Sequence, residues 1–253
     1  MSPDTPPTPH QLHITGPYAK RLYNARLHLN QQVREGRGLR YTPAADPAWV
    51  EQTIGVASLL NQLEGTALCR HPTLPVVFPL SQTFPPALAH LLSMGDYAQA
   101  QLELVHSFTQ TGDVVLDLGA GLGLASILAL KAGASKAIAV EPNPAMQNLL
   151  HSTAGHNGVV VEVVAGALVP GQTQGDTAFY WGDEPWLGSI FPLAETDSGL
   201  AISTVPVVNL KTLCAQTQPQ LLVVDVHGAE LNLFAAGALA EAASVRHIIL
   251  TAH

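Results

Sequence analysis

The run Val114-Val115-Leu116-Asp117-Leu118-Gly119-Ala120-Gly121-Leu122-Gly123 constrains this chain more than any other segment. An apolar stretch ends in an acid, passes through three alternate glycines and continues into residues that suit a helix. That order reads as strand, tight turn and helix. Glycine lets the backbone turn sharply and approach a ligand without a Cβ clash, and the following helix begins with N–H groups that have no intrahelical partner. A bound cofactor is expected against the loop formed by Leu118, Gly119, Ala120, Gly121 and Gly123.

From Val114 onward the pattern is regular. Strands are expected at Val114–Asp117, Ala137–Val140, Val159–Val164, Leu221–Val226 and His247–Ala252, with helices at Leu122–Ala132, Pro144–Ala154 and Ala229–Ala243 between them. Strands that are continuous apolar runs alternating with helices predict an α/β fold, a Rossmann-like parallel sheet covered by helices on both faces. Residues 166–204 read as a long irregular segment rich in Gly, Pro and Asp, containing Trp181, Asp183, Glu184 and Trp186, and a short strand is expected at Val205–Val208.

Two carboxylates narrow the ligand. A dinucleotide loop of the form G-x-G-x-x-G needs a third glycine at position 124, where Leu124 stands. Asp117 would repel a pyrophosphate and attract an ammonium group. Glu141 falls 24 positions after Asp117, at the tip of the next strand, where a carboxylate accepts hydrogen bonds from both hydroxyls of a ribose. Gly166 and Ala167 follow the third strand and leave room for an adenine ring. S-adenosylmethionine has the ammonium, the ribose and the adenine and carries no phosphate. A nicotinamide-linked oxidoreductase is one alternative, and a binding module with this fold but no turnover is another.

Three phrases carry a resemblance. Val115-Leu116-Asp117-Leu118-Gly119-Ala120-Gly121-Leu122-Gly123, Ala139-Val140-Glu141-Pro142-Asn143-Pro144 and Val224-Asp225-Val226-His227-Gly228-Ala229-Glu230 resemble signatures of the FkbM-type methyltransferases, over roughly positions 95 to 253. The resemblance implies a class I S-adenosylmethionine enzyme, chiefly one that methylates hydroxyl oxygens of sugars, glycolipids or polyketides. It implies that Asp117 and the glycine loop take the methionine part, Glu141 the ribose, and Gly166 and Ala167 the adenine, with Pro142 and Asn143 also among the cofactor-binding residues. Asp225 would line the methyl-transfer cleft. Where that family has Glu in the pattern D-V-E-G-A-E, this chain has His227. An imidazole titrates near neutral pH and suits a general base for an alcohol, and the same residue would equally cap a helix or bond to Asp225. No metal site is expected.

The rest of the chain bounds partners and compartment. The net charge is −8, the wrong sign for a general nucleic-acid binder, so the expected partner is a small hydroxylated acceptor and no nucleic acid. The charge is uneven. Six of eleven basic residues precede position 41, opposed there by Asp4 and Glu35, which gives +4 to that segment and −12 to the remainder. Residues 1–17 read as a disordered tail and 18–95 as a helical extension, with a basic amphipathic helix from Tyr18 to Val33 and a second from Ala48 to Leu63 opened by Asp46-Pro47. Residues 71–86, with five prolines, read as an extended connection, and the methyl-transfer domain spans 96–253, beginning with a helix at Tyr97–Phe108. With only Cys69 and Cys214, no signal-like start and no apolar span, a reducing cytoplasm and no membrane span are expected. The final strand would form a sheet edge beside Ile248, Ile249 and Leu250. Such an edge asks to be covered by the N-terminal region, by residues 205–208 or by a second copy in a homodimer.

Overall fold

A computed structural model describes residues 47–182, 184–191, 201–230, 233 and 242–251. The expected tail, the basic helix at 18–33, Asp46, Asp183, Ala252 and most of the expected helix at 229–243 lie outside the described residues. Five parallel strands form the central sheet: β3 (Val114–Leu118), β4 (Lys136–Glu141), β5 (Glu162–Ala165), β8 (Leu221–Val224) and β9 (His247–Leu250). Their order is β5-β4-β3-β8-β9, so the chain winds outward from β3 in one direction and then in the other. The switch point lies between β3 and β8, beside the glycine loop.

Each strand presents alternate side chains to opposite faces. Val115, Ala139, Leu221, Val223 and Ile249 pack with α3 (Gln99–Phe108), α4 (Leu124–Lys131) and α5 (Pro144–His156). Leu116, Leu118, Ile138, Val140, Leu222 and Val224 pack on the other face with Leu168, Leu233 and α6 (Leu210–Thr217). Both faces are therefore dry, which is why the strands read as unbroken apolar runs.

The same parity decides where the acids point. Asp117 is two residues after Val115, Glu141 two after Ala139, and Asp225 two after Val223, so all three fall on the face covered by α3 and α4. In register, Asp117 lies opposite Ala139 and Val223, one pleat below Glu141 and Asp225.

Before the sheet, α1 (Pro47–Asn61) and α2 (Pro86–Met94) bracket an antiparallel hairpin of β1 (Ala67–Arg70) and β2 (Val77–Leu80). The extension is thus not purely helical, and part of the expected extended connection is a strand. The hairpin docks on α5 through Asn157, whose side chain accepts from the Val77 N–H (3.0 Å) and donates to its carbonyl (2.6 Å). A second hairpin, β6 (Asp176–Trp181) with β7 (Ala201–Pro206), lies within the stretch expected to be irregular. It leads into a single turn of 3-10 helix at Pro185–Leu187. No helix among the described residues is long and apolar enough to cross a membrane.

Candidate functional site

Gly119 sits where β3 and β8 diverge. Its φ is +79°, and a Cβ there would collide with the Asp225 carbonyl oxygen, so the loop closes against β8 only with glycine. The loop is held from below: the N–H groups of Gly119 and Ala120 both donate to the Val140 carbonyl (2.9 and 3.1 Å), and Gly123 N–H donates to the Ala120 carbonyl (2.7 Å). Gly123, at φ +73°, opens α4, and a side chain on it would come within 2.6 Å of Leu150.

Asp117 is buried under this loop. One carboxylate oxygen accepts from the Ser126 hydroxyl (2.8 Å) and from its backbone N–H (3.2 Å), which fastens the first turn of α4 to the end of β3. Burial raises its pKa to about 6, against the lowering effect of the Ser126 bonds and with a small push from the Asp225 charge. Sequence reasoning expected this acid to meet a ligand directly; its visible contacts are to Ser126, and its charge acts on the cleft from beneath.

Glu141 is buried at the tip of β4. Its two oxygens accept from the Gly121 N–H and the Asn143 N–H, each at 2.7 Å. Burial again dominates and raises its pKa to about 7, while those two N–H groups oppose the shift and the Asp117 charge adds to it. Asn143 caps α5, its Oδ1 accepting from Ala145 N–H (3.0 Å), and its Nδ2 donates to the Pro185 carbonyl (2.8 Å). The 3-10 turn is thereby tied to the cap. Ser189 adds a second tie by donating to the His227 carbonyl (3.0 Å).

Beneath that strap lies a cleft, lined by Gly119, Glu141, Pro142, Gly166, Ala167, Asp225 and His227 together with apolar Leu168, Phe179, Trp186 and Ile190. Seven of the residues singled out from sequence thus face one cavity. Leu118, Ala120, Gly121, Gly123 and Asn143 build its floor and edge, and Asp117 lies deeper. A Cβ on Gly166 would meet the Pro206 carbonyl oxygen at 2.7 Å.

Asp225 and His227 flank the cleft beyond the end of β8. His227 Nε2 lies 3.6 Å from Asp225 Oδ1, longer than a hydrogen bond and within ion-pair range. The His227 backbone has φ +50°, a conformation unfavourable for a residue with a side chain. The turn is stabilised by Glu230, which accepts from the N–H groups of Val226 (3.1 Å) and Gly228 (2.9 Å).

Leu168, Phe179 and Ile190 of the cleft wall were not singled out from sequence, nor were two polar residues beside it. Tyr97, just before α3, brings its hydroxyl to 3.3 Å from the Cβ position of Gly121, and Gln101 donates to Thr251 Oγ1 (2.9 Å) and lies 3.4 Å from Asp225 Oδ2. A signal existed: a helix leading straight into the first strand of a parallel sheet must run antiparallel to it, so its start lies level with the strands' carboxyl ends.

No family model matches the chain. Among curated proteins it is 37% identical over 76 residues to ribosomal protein L11 methyltransferase of Chloroflexus aurantiacus, a match covering 29% of this chain and 23% of that protein. Solved structures that align include the Pyrococcus abyssi tRNA (uracil-54, C5)-methyltransferase with S-adenosyl-L-homocysteine, at 16% identity and TM-score 0.32 over 41% of this chain and 24% of that one. Methanocaldococcus jannaschii Trm5 with adenosine aligns at 16% and 0.29 over 47% and 43%. Coclaurine N-methyltransferase bound to N-methylheliamine and S-adenosylhomocysteine aligns at 20% and 0.25 over 59% and 44%. The chain thus spans about a quarter of the curated relative it matches and less than half of each of these structures. Its fold is a Rossmann-like α/β fold, a parallel sheet with helices, wound in the order β5-β4-β3-β8-β9.

Proposed function

We propose that the chain is an S-adenosylmethionine-dependent methyltransferase that methylates a hydroxyl oxygen of a small, uncharged acceptor. The observation that carries this reading is the convergence of Gly119, Glu141, Gly166, Ala167, Asp225 and His227 on one cleft at the carboxyl ends of parallel strands, where open α/β sheets bind their ligands. The likeness of the three phrases to FkbM-type enzymes supports the oxygen acceptor.

The chemistry of the cleft fits this cofactor. Glu141 offers two carboxylate oxygens for a ribose, Gly166 and Ala167 with Leu168, Phe179 and Ile190 form a small apolar slot suited to adenine, and Asp117 and Asp225 favour a cation. Among the described residues no lysine or arginine lines the cleft, and the carboxylates of Asp117 and Asp225 beside the glycine loop would repel a pyrophosphate, which speaks against a nicotinamide dinucleotide. When bound, S-adenosylmethionine supplies an electrophilic methyl group on a cationic sulfur. The chain's own part is to align an acceptor oxygen and take its proton. His227 is the base in this reading, receiving the proton at its imidazole, and the Asp225 carboxylate steadies the resulting imidazolium. The residue stands where the related pattern has Glu, so either side chain provides a proton acceptor at that turn.

Charge placement favours a small acceptor over RNA. Arg246 pairs with Asp113 through bonds of 2.7 and 2.8 Å, and Lys136 pairs with Glu162 at 2.6 Å. Both pairs lie at the amino ends of the strands, away from the cleft. Six of the eleven basic residues fall in the segment 20–40, so the RNA reading rests chiefly on that segment. Both cysteines are free thiols, in keeping with a cytoplasmic protein. The test is transfer of a labelled methyl group by the full chain to a panel of hydroxylated small molecules, to bulk RNA and to ribosomal protein. Label in the small molecules supports the proposal. Label confined to RNA or protein contradicts the acceptor assignment while leaving the cofactor assignment standing.

A further inference from the structure

The proposed cofactor has an amino-acid end with a carboxylate as well as an ammonium, and among the described residues no arginine or lysine lines the cleft to receive it. Backbone donors are the usual substitute, but four N–H groups of this loop are already engaged. The N–H groups of Gly119 and Ala120 are taken by Val140, that of Gly123 by Ala120, and that of Gly121 by Glu141. A buried anion without a donor costs several times more than an ordinary lost hydrogen bond. A neutral side-chain donor close to the loop would offset that cost.

We propose that Tyr97 is that donor, a cofactor-positioning residue whose hydroxyl, placed over Gly121 at the start of α3, holds the carboxylate of the amino-acid end. This rests on the cofactor reading above. The ring is fixed, since it packs against the core formed by α3, α4 and α5. Its hydroxyl has no hydrogen-bond partner among the described residues, so the donor is free to be used. Burial holds the phenol well above its ordinary pKa, and the charges of Asp225, Glu141 and Asp117 push the same way. The proton therefore stays on the oxygen throughout the neutral range, and Tyr97 remains a donor that never adds a fourth negative charge. Gln101, one turn further along α3 and bonded to Thr251, keeps an amide beside Asp225. The start of this helix thus lies beside both Gly121 and Asp225.

The test is calorimetric titration of full-length wild type and Tyr97→Phe with two probes, S-adenosylhomocysteine and 5′-methylthioadenosine, which lacks the amino-acid end. Loss of one hydrogen bond to a charged group predicts that Tyr97→Phe weakens S-adenosylhomocysteine about tenfold and leaves 5′-methylthioadenosine within about twofold. Equal affinity of both proteins for S-adenosylhomocysteine would overturn the assignment. So would equal weakening of both probes, because Tyr97 would then only shape the loop. If wild type binds neither probe, the cofactor reading itself fails, and Tyr97 falls with it.

Discussion

Asp117 and Glu141 are carboxylates kept out of water, and their raised pKa values link the site to pH. Each binds a proton more tightly in the folded chain than in the unfolded one, whose carboxylates titrate near pH 4. Where the native state holds the extra proton, stability falls as pH rises. The stability contributed by this pair is present below about pH 4 and is lost as pH climbs through about 6 for Asp117 and about 7 for Glu141. Cofactor binding runs the other way, since Glu141 accepts from two hydroxyls only when ionised. Affinity for S-adenosylhomocysteine should therefore rise between pH 5.5 and 8 and binding should release protons, which titrations in buffers of different ionisation enthalpy detect. At His227 the expected effect is on turnover: His227→Asn should lower kcat by about 10²-fold or more with cofactor affinity nearly unchanged, measured by labelled methyl transfer. A change of only two- or threefold would assign the imidazole a purely structural part in the positive-φ turn.

Among the elements, β3, β4, β8 and β9 and the helices α4 and α5 were legible because both faces of the sheet are dry, so the strands read as short apolar runs. In the observed register the alternation within them puts Asp117, Glu141 and Asp225 on one face. What was not legible has physical reasons. β2 is four residues long and includes Pro79, which donates no ladder bond and is tolerated only in a ribbon like this one. β6 mixes Asp, Thr, Tyr and Trp on a two-stranded hairpin, so no clean alternation marks it. α2 and α6 are short, and α2 follows a proline-rich stretch that read as extended. Tyr97 and Gln101 carry no local signal, since their place comes from the direction in which α3 approaches β3. The strap over the cleft is likewise a tertiary feature, hung on the Asn143 side chain at one end and Ser189 at the other. Asn143→Ala removes the cap of α5 and the first tie together. It should lower the melting temperature by roughly 4 °C and weaken S-adenosylhomocysteine binding, whereas Asn143→Ser, which retains a cap, should restore most of the stability and not the tie.

At the scale of the whole molecule, β9 is the edge of the central sheet among the described residues, pairing only with β8. Residues 201–206 pair with β6, which removes that segment as a cover for the edge. The described part of the N-terminal extension docks on α5. Ile249 is buried, while Ile248 and Leu250 are 45% and 42% exposed, so the apolar edge offered to a partner is narrower than the sequence implied. If a second copy covers it, light scattering of the full chain should give twice the monomer mass, and Ile248→Lys should halve that mass without unfolding the chain. A monomeric wild type would end the dimer reading. The central claim is that the ends of β3, β4, β5 and β8 form an S-adenosylmethionine site, and calorimetric titration of S-adenosylhomocysteine into wild type and Glu141→Ala tests it most directly. The account predicts saturable one-to-one binding to wild type and, with two charge-assisted bonds removed, a loss of about 10²-fold in the variant. Absence of binding to wild type, or equal binding to both proteins, would contradict it.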